Sequence, residues 1–198
     1  HPDPQIFGDK AVFRSARLYR LARSKAYLYK GVEIRWNCAP EKLRDAKDTP
    51  EKATLHFPGG LSDFLAESVE DQSTVTPKPF AGEGQLNGGD GRVEWAVTWP
   101  EHGDGFMSSY CNTVPTAQGG THETGLRTAL SRGLKAYGEM TGNKRATQIV
   151  ADDVMINACG LLSVFIPDPQ FQGQTKERLS TPGVSRLVEA SIKDHFDH

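Results

Sequence analysis

The chain has 198 residues, of which 37% are hydrophobic, and this content is sufficient for a packed globular domain. Its 23 basic and 25 acidic side chains nearly cancel, so the average charge does not indicate a nucleic-acid-binding protein, and any DNA contact requires a local basic face. No run approaches the ~20 apolar residues of a membrane span, and the start lacks a secretory core, which favours one compact cytoplasmic domain.

The first third of the chain is predicted to hold two helices and two strands. Apolar residues with a period near 3.6 predict a helix over 15–28, with the serine at its start as the cap. Alternating apolar and polar residues over 32–38 indicate a half-buried strand, and 54–57 could return as its partner. The charged run 41–52 between them is expected to be a solvated loop or the tip of a hairpin, and a short helix is expected over 61–68.

The middle of the chain is predicted to contain a long connection, two strands and a long helix. Residues 70–91 show little periodicity and much Pro, Gly, Asn and Asp, so an irregular connection that ends in a turn is expected there. Strands over 93–99 and 106–113 are expected to pair as an antiparallel hairpin. The strongest helical pattern follows, with Thr121 as its expected cap and Gly142 beyond its end.

The last third is predicted to hold a short helix near 152–157, a strand over 160–166, a polar loop over 168–179 and a helix from Gly183. This mixture of strands and single helices is typical of an α+β fold, a mixed β-sheet with helices on one face. The cysteines are odd in number and lack metal-ligand spacing, so buried free thiols are expected. They are Cys38, Cys111 and Cys159.

Three segments carry a family resemblance. The loop 168–179, Asp-Pro-Gln-Phe-Gln-Gly-Gln-Thr-Lys-Glu-Arg-Leu, places Lys176 after an apolar strand, where a cation could reach a phosphate; alone, such a loop is usually a solvated connection. The others are 109–116, Ser-Tyr-Cys-Asn-Thr-Val-Pro-Thr, and 118–122, Gln-Gly-Gly-Thr-His. Together they resemble the second domain, called the transducer, of the B subunit of bacterial type IIA DNA topoisomerases, the ATPase subunits of gyrase and topoisomerase IV.

The resemblance implies a fold and a domain assignment. The implied fold is that of the second domain of ribosomal protein S5, with a left-handed βαβ crossover that most proteins avoid. Residues 1–180 are then expected to be the transducer domain, and 181–198 a C-terminal helix leading toward an absent DNA-cleavage domain. Because the first residue is not Met and the family's ATP-binding and Mg²⁺-binding motifs are missing, the chain is expected to be part of a longer protein.

The resemblance also implies site residues. Gln174 and Lys176 stand at the family's Gln-Thr-Lys motif, which implies that they contact the ATP γ-phosphate. Their implied role in the intact subunit, with ATP and Mg²⁺, is both catalytic and cofactor-binding. The chain alone is expected to bind neither nucleotide nor metal. Arg127 is expected to face the transported DNA, and Glu177 to be a solvent residue. Weaker DNA-facing candidates are Arg132, Lys135, Lys144, Arg145 and Arg178.

The turn before the long helix could attract an anion through the unpaired amides of a helix N-terminus, but a structural role explains it more simply. Gly119 and Gly120 are expected to permit an unusual backbone turn, with Glu123 in the first helical turn, where the helix dipole favours a carboxylate. His122 is expected to pack or orient its neighbours and not to act as a base, because no nucleophile with a suitable partner is visible nearby.

The function implied is the coupling of ATP binding and hydrolysis to DNA gate closure in a type II isomerase. Residues 93–96, 118–120 and 170–179 resemble topoisomerase IV more than gyrase, which stays the alternative. The implied partners are the topoisomerase A subunit, double-stranded DNA, the N-terminal ATPase domain of the same chain and a second copy in an ATP-driven homodimer, all in a nucleoid-associated cytoplasmic enzyme. A stand-alone RNA-binding module of S5-like fold would predict a markedly basic chain, and a complete small phosphotransferase would need a nucleotide pocket.

Overall fold

The chain folds into two compact units in a computed structural model that describes residues 3–8, 11–43, 46–86 and 90–196. The first unit is His1–Phe64 and the second is Leu65–His198, so the prediction of one compact domain is wrong. The boundary between the units falls inside a helix, Leu61–Ser68. Apolar runs on both sides of this helix are long enough to form separate cores, which composition alone cannot distinguish from one core.

The described residues of the first unit form helices and a two-stranded antiparallel sheet. Its elements are α1 (Pro4–Phe7), α2 (Ser15–Leu28), β1 (Glu33–Asn37), a 3-10 turn (Pro40–Lys42), β2 (Lys52–His56) and the start of α3 (Leu61–Ser68). Ile34 lies opposite Leu55 in the β1–β2 pair, so the predicted pairing is confirmed. The predicted capping role of Ser15 is wrong, because Arg14 is the N-cap and the Ser15 hydroxyl donates to the Lys42 carbonyl at 2.6 Å. In the predicted loop 41–52, residues 44–45 lie outside the described residues.

The second unit is built on a five-stranded mixed sheet. Its strands are β3 (Phe80–Leu86), β4 (Gly91–Thr98), β5 (Phe106–Cys111), β6 (Val114–Pro115) and β7 (Cys159–Phe165), in the order β3-β4-β7-β5-β6. Neighbouring strands are antiparallel except for β5 and β7, which are parallel. Two short strands, β8 (Phe171–Gln172) and β9 (Arg178–Leu179), form a separate pair. The helices are α4 (Thr121–Met140), α5 (Ala151–Met155) and α6 (Val184–Phe196), with a 3-10 helix at Lys144–Gln148.

Two predictions about the sheet are wrong. The segment 70–91 is not irregular throughout, because β3 occupies most of its second half; residues 87–89 of the predicted turn lie outside the described residues. Glycines hid this strand, since Gly82 and Gly84 have no side chain to show alternation. A Cβ on Gly82 would collide with Trp95, and a Cβ on Gly84 would collide with Ser191 of α6. The predicted β4–β5 hairpin does not form, because β7 lies between these strands and pairs with both.

The core of the second unit lies between one face of the sheet and two helices. Alternate residues of β4 and β7 meet the apolar faces of α4 and α6, which pack against each other. The fully buried members include Val93, Trp95, Val97, Leu162, Val164, Leu126, Leu130, Val188 and Ile192. The α+β prediction of a mixed sheet with helices is therefore confirmed. The path from β5 through α4 to the parallel neighbour β7 is a βαβ crossover, and its left hand stays a prediction.

The burial of the cysteine thiols and the apolar character of the helices bear on two further predictions. Cys111 and Cys159 are buried free thiols as predicted, whereas Cys38 is a free thiol that is only half-buried. Burial raises the pKa of Cys111 to about 11, because the thiolate would lose its hydration. Within the described ranges, no helix combines the length and the apolar character needed to cross a bilayer.

Candidate functional site

Lys176 lies at the tip of a β-hairpin. The strands β8 and β9 pair antiparallel, with Phe171 opposite Leu179 and Gln172 opposite Arg178, so residues 173–177 form the tip. Gln174 and Lys176 are both exposed there. The sequence correctly predicted an exposed polar segment between β7 and the last helix, but the two short strands within it were missed.

The backbone of Lys176 adopts a left-handed conformation, with a φ of 57°. A lysine in this region is strained, and such a conformation persists only where surrounding contacts determine it. The Lys176 ammonium nitrogen lies 5.8 Å from the centroid of the Phe171 ring, and Phe171 packs against the core of the second unit. Lys176 makes no ion pair with any residue that the structure describes, so its charge is available to an anion.

The strand after Lys176 is bonded to the turn that precedes α4. The Gln118 backbone N–H donates to the Glu177 carbonyl at 2.8 Å, and the Leu179 N–H donates to the Gly119 carbonyl at 3.0 Å. The Gln118 side-chain amide donates to the Glu177 carboxylate at 2.9 Å, and the Arg178 guanidinium donates to the Gln118 carbonyl at 3.0 Å. Glu177 is half-buried, so the prediction that it is a solvent residue is wrong.

The turn before α4 requires two glycines because its backbone lies close to the backbone of β9. Gly119 and Gly120 have φ values of 67° and 143°, which side-chain-bearing residues rarely adopt. Gly120 forms a parallel bridge with Leu179, and a Cβ on Gly120 would collide with the Leu179 backbone. The predicted unusual turn is confirmed. The predicted cap is wrong, because Gly120 is the N-cap of α4, and among the described residues the buried Thr121 hydroxyl has no hydrogen-bond partner.

A buried polar chain supports the start of α4. His122 is 0% exposed, and its Nε2 lies 3.0 Å from the Thr116 hydroxyl, which in turn lies 2.6 Å from the Ser109 hydroxyl. The Ser109 hydroxyl also contacts the Glu123 carboxylate, donating at 2.6 Å. Desolvation lowers the pKa of His122 to about 4, so the ring is neutral at neutral pH. The predicted packing role of His122 is confirmed.

Sequence reasoning did not find this chain of hydrogen bonds. Ser109, Thr116 and Glu123 all fall within or beside the quoted motifs, but nothing in their spacing shows that a strand, a turn and a helix bring them together. The available signal for such a chain was the presence of small hydroxyl residues beside apolar positions, since buried hydroxyl groups normally have hydrogen-bond partners.

The candidate DNA-facing residues are not one uniform basic face. The Arg127 guanidinium, 39% exposed, bonds to the Asp152 carboxylate on α5, and Arg132 bonds to Glu189 on α6. Arg178 lies in the hairpin. The remaining candidates are Lys135, half-buried on α4, and Lys144 and Arg145, exposed in the 3-10 helix.

The described residues include no cluster suited to a metal ion, whereas the hairpin tip presents donors. None of their His, Cys, Asp and Glu side chains form a group of three or more that could hold a metal ion. The hairpin tip presents one ammonium and one amide, a pair of donors that suits phosphate oxygens.

Sequence comparison shows similarity to one family. A family sequence model described as DNA gyrase B matches residues 60–198. The chain is 58% identical over 99% of its length to the B subunit of DNA topoisomerase 4 from Caulobacter vibrioides, and 56% identical over 100% of its length to that from Bartonella bacilliformis. The chain spans 28% of the length of each of these relatives.

Solved structures with the same fold belong to related proteins. An ATP-binding domain of topoisomerase IV from Francisella tularensis is 30% identical with a TM-score of 0.73, over 96% of this chain and 49% of that one. The 43K ATPase domain of Thermus thermophilus gyrase B is 26% identical with a TM-score of 0.77, over 98% of this chain and 50% of that one.

Proposed function

Because the chain belongs to the DNA gyrase B family, we propose that its second unit is the transducer domain of a type IIA DNA topoisomerase ATPase subunit, which couples ATP binding and hydrolysis to DNA gate closure and strand passage. Topoisomerase IV is favoured over gyrase because the relatives at 50–58% identity carry that name. The similarity to these relatives extends over the whole chain, which argues against a stand-alone RNA-binding module.

The unit boundary supports limiting the transducer to residues 65–198, in place of the predicted 1–180. The family match begins at residue 60, close to the boundary at residues 64 and 65. The last helix, α6, belongs to the same domain, because Val188 and Ile192 are fully buried in the core of the second unit. The first unit then forms a separate module of the intact protein.

The observation that carries the proposal is the exposed Lys176 at the tip of an anchored hairpin, with no ion-pair partner in the described part of the chain. In phosphoryl transfer a positioned ammonium neutralises the charge that develops on the γ-phosphate oxygens, and the Gln174 amide can donate to the same group. ATP would be held by the N-terminal ATPase domain of the same chain. Its Mg²⁺ would be held there too, since the described residues offer no carboxylate cluster for it.

Contact with the phosphates of the transported DNA is proposed for Arg127 and its neighbours on α4. Phosphate contacts of this kind provide affinity without base specificity and weaken with salt. Double-stranded DNA, the topoisomerase A subunit and a second copy of this protein would be the partners in a nucleoid-associated enzyme.

The proposal is tested with Lys176→Ala in the intact subunit. We expect kcat for ATP hydrolysis to fall by about 10²-fold, because removal of one preorganised electrostatic contact costs about 3 kcal/mol of transition-state stabilisation. Binding of a non-hydrolysable ATP analogue should persist, and ATP-dependent strand passage should be lost. The control is Lys78→Ala, an exposed lysine outside the hairpin. Parental turnover in Lys176→Ala would refute the proposal.

A further inference from the structure

Residues 118–120 hold the strand that follows Lys176 through backbone and side-chain hydrogen bonds. The backbone contacts with Glu177 and Leu179 continue the strand pairing and would place β9 with almost any residue at position 118. The amide–carboxylate bond of 2.9 Å is different, because it depends on the side chains of Gln118 and Glu177, which are 59 residues apart in sequence.

This side-chain bond acts on the residue next to the strained one. Lys176 has a left-handed φ of 57°, a conformation that persists only where its surroundings determine it, and Glu177 is its C-terminal neighbour. The Gln118–Glu177 bond and the Arg178–Gln118 bond restrain both residues that follow Lys176. Loss of the first bond leaves Glu177 with its backbone contact alone and allows the tip to adopt other conformations.

We propose that Gln118 is a positioning residue for Lys176, rather than a residue that contacts nucleotide. Its amide holds Glu177 so that the strained turn directs the Lys176 ammonium toward the γ-phosphate. The inference rests on the proposed function of Lys176 and identifies what orients that residue. Only the fraction of molecules with a correctly directed ammonium can react, so weaker anchoring lowers kcat in proportion to that fraction.

The test uses ATPase kinetics of the intact subunit with its partner subunit. Gln118→Ala removes this solvent-exposed bond and should lower kcat by up to about fivefold, the limit set by the loss of one hydrogen bond. Gln118→Glu places two carboxylates in contact and should lower kcat more than about tenfold. The double variant Gln118→Glu/Glu177→Gln reverses donor and acceptor, and kcat should return to within about twofold of the parent.

Two measurements separate positioning from folding. Affinities for ADP and for a non-hydrolysable ATP analogue should stay close to those of the parent, and so should Tm. In a Lys176→Ala background, Gln118→Glu should cause no further loss of kcat, because there is no ammonium left to orient. A parental kcat in Gln118→Glu, no recovery in the double variant, or a loss of kcat that follows Tm across the set would overturn the proposal.

The Lys176→Ala enzyme distinguishes this inference from the function on which it rests. Parental turnover in Lys176→Ala overturns the function of Lys176 and the role of Gln118 together. Strongly reduced turnover in Lys176→Ala together with parental turnover in Gln118→Glu overturns the role of Gln118 alone.

Discussion

The buried His122 should make the stability of the second unit depend on pH. Its pKa is about 4 in the folded chain against 6.5 in the unfolded chain, so the unfolded state binds more protons between these values. The contribution of neutral His122 is therefore fully present above pH 6.5 and is lost as pH falls toward 4. A difference of roughly 2.5 pKa units corresponds to about 3 kcal/mol of unfolding free energy.

The geometry explains why the folded state disfavours the charged ring. Only Nε2 of His122 has a partner, the Thr116 hydroxyl, whereas Nδ1 is buried without one among the described residues. Protonation would place a second N–H donor and a positive charge in a site with no group to receive them.

The assay is denaturant unfolding at several pH values between 4 and 7. A Trp36→Phe background removes the tryptophan of the first unit, so that fluorescence reports on Trp95 and Trp99. In His122→Gln, which keeps an amide near the Nε2 position, the pH dependence should be shallower than in the parent by about 3 kcal/mol over this range. His102→Gln, at an exposed site, should behave as the parent. Equal pH dependence in His122→Gln and the parent would show that the reasoning is wrong.

Two further predictions concern the turn before α4 and the DNA-facing arginine. Gly120→Ala should destabilise the second unit by about 3 kcal/mol in denaturant titrations, because its Cβ would collide with the Leu179 backbone. The control is Gly142→Ala, at a positive φ in open space, which should cost about 1 kcal/mol. Equal costs for the two variants would contradict the close approach of Gly120 to Leu179. Asp152→Asn removes the carboxylate that pairs with Arg127 and should strengthen DNA binding by the intact subunit several-fold at low salt, with a steeper salt dependence. Unchanged affinity in DNA titrations would exclude Arg127 from the DNA contact.

Local patterns predicted most helices and several strands correctly. The apolar period of α2 and α4 and the alternation in β1 and β4 depend only on residues within a few positions, so they can be read without tertiary contacts. The exposed position of Lys176 followed in the same way, from a polar segment rich in residues that form turns. The family resemblance was likewise carried by short contiguous motifs.

Non-local pairing was beyond the reach of these patterns. Alternation identified β4 and β5 as strands, but their shared neighbour β7 comes about 50 residues later in the chain and replaces the expected hairpin. The strand β3 was missed because Gly82 and Gly84 conceal the alternation, and only the approach of α6 shows why side chains are absent there.

The sequence by itself determined the secondary structure of the long periodic elements, the family and the identity of the exposed lysine, since each depends on residues that are neighbours in the chain. Only the tertiary structure decided the division into two units, the partner of Glu177 and the neutral state of His122. Each of these depends on which distant segments exclude water from a side chain or supply its hydrogen-bond partner, as Gln118 does for Glu177 across 59 residues.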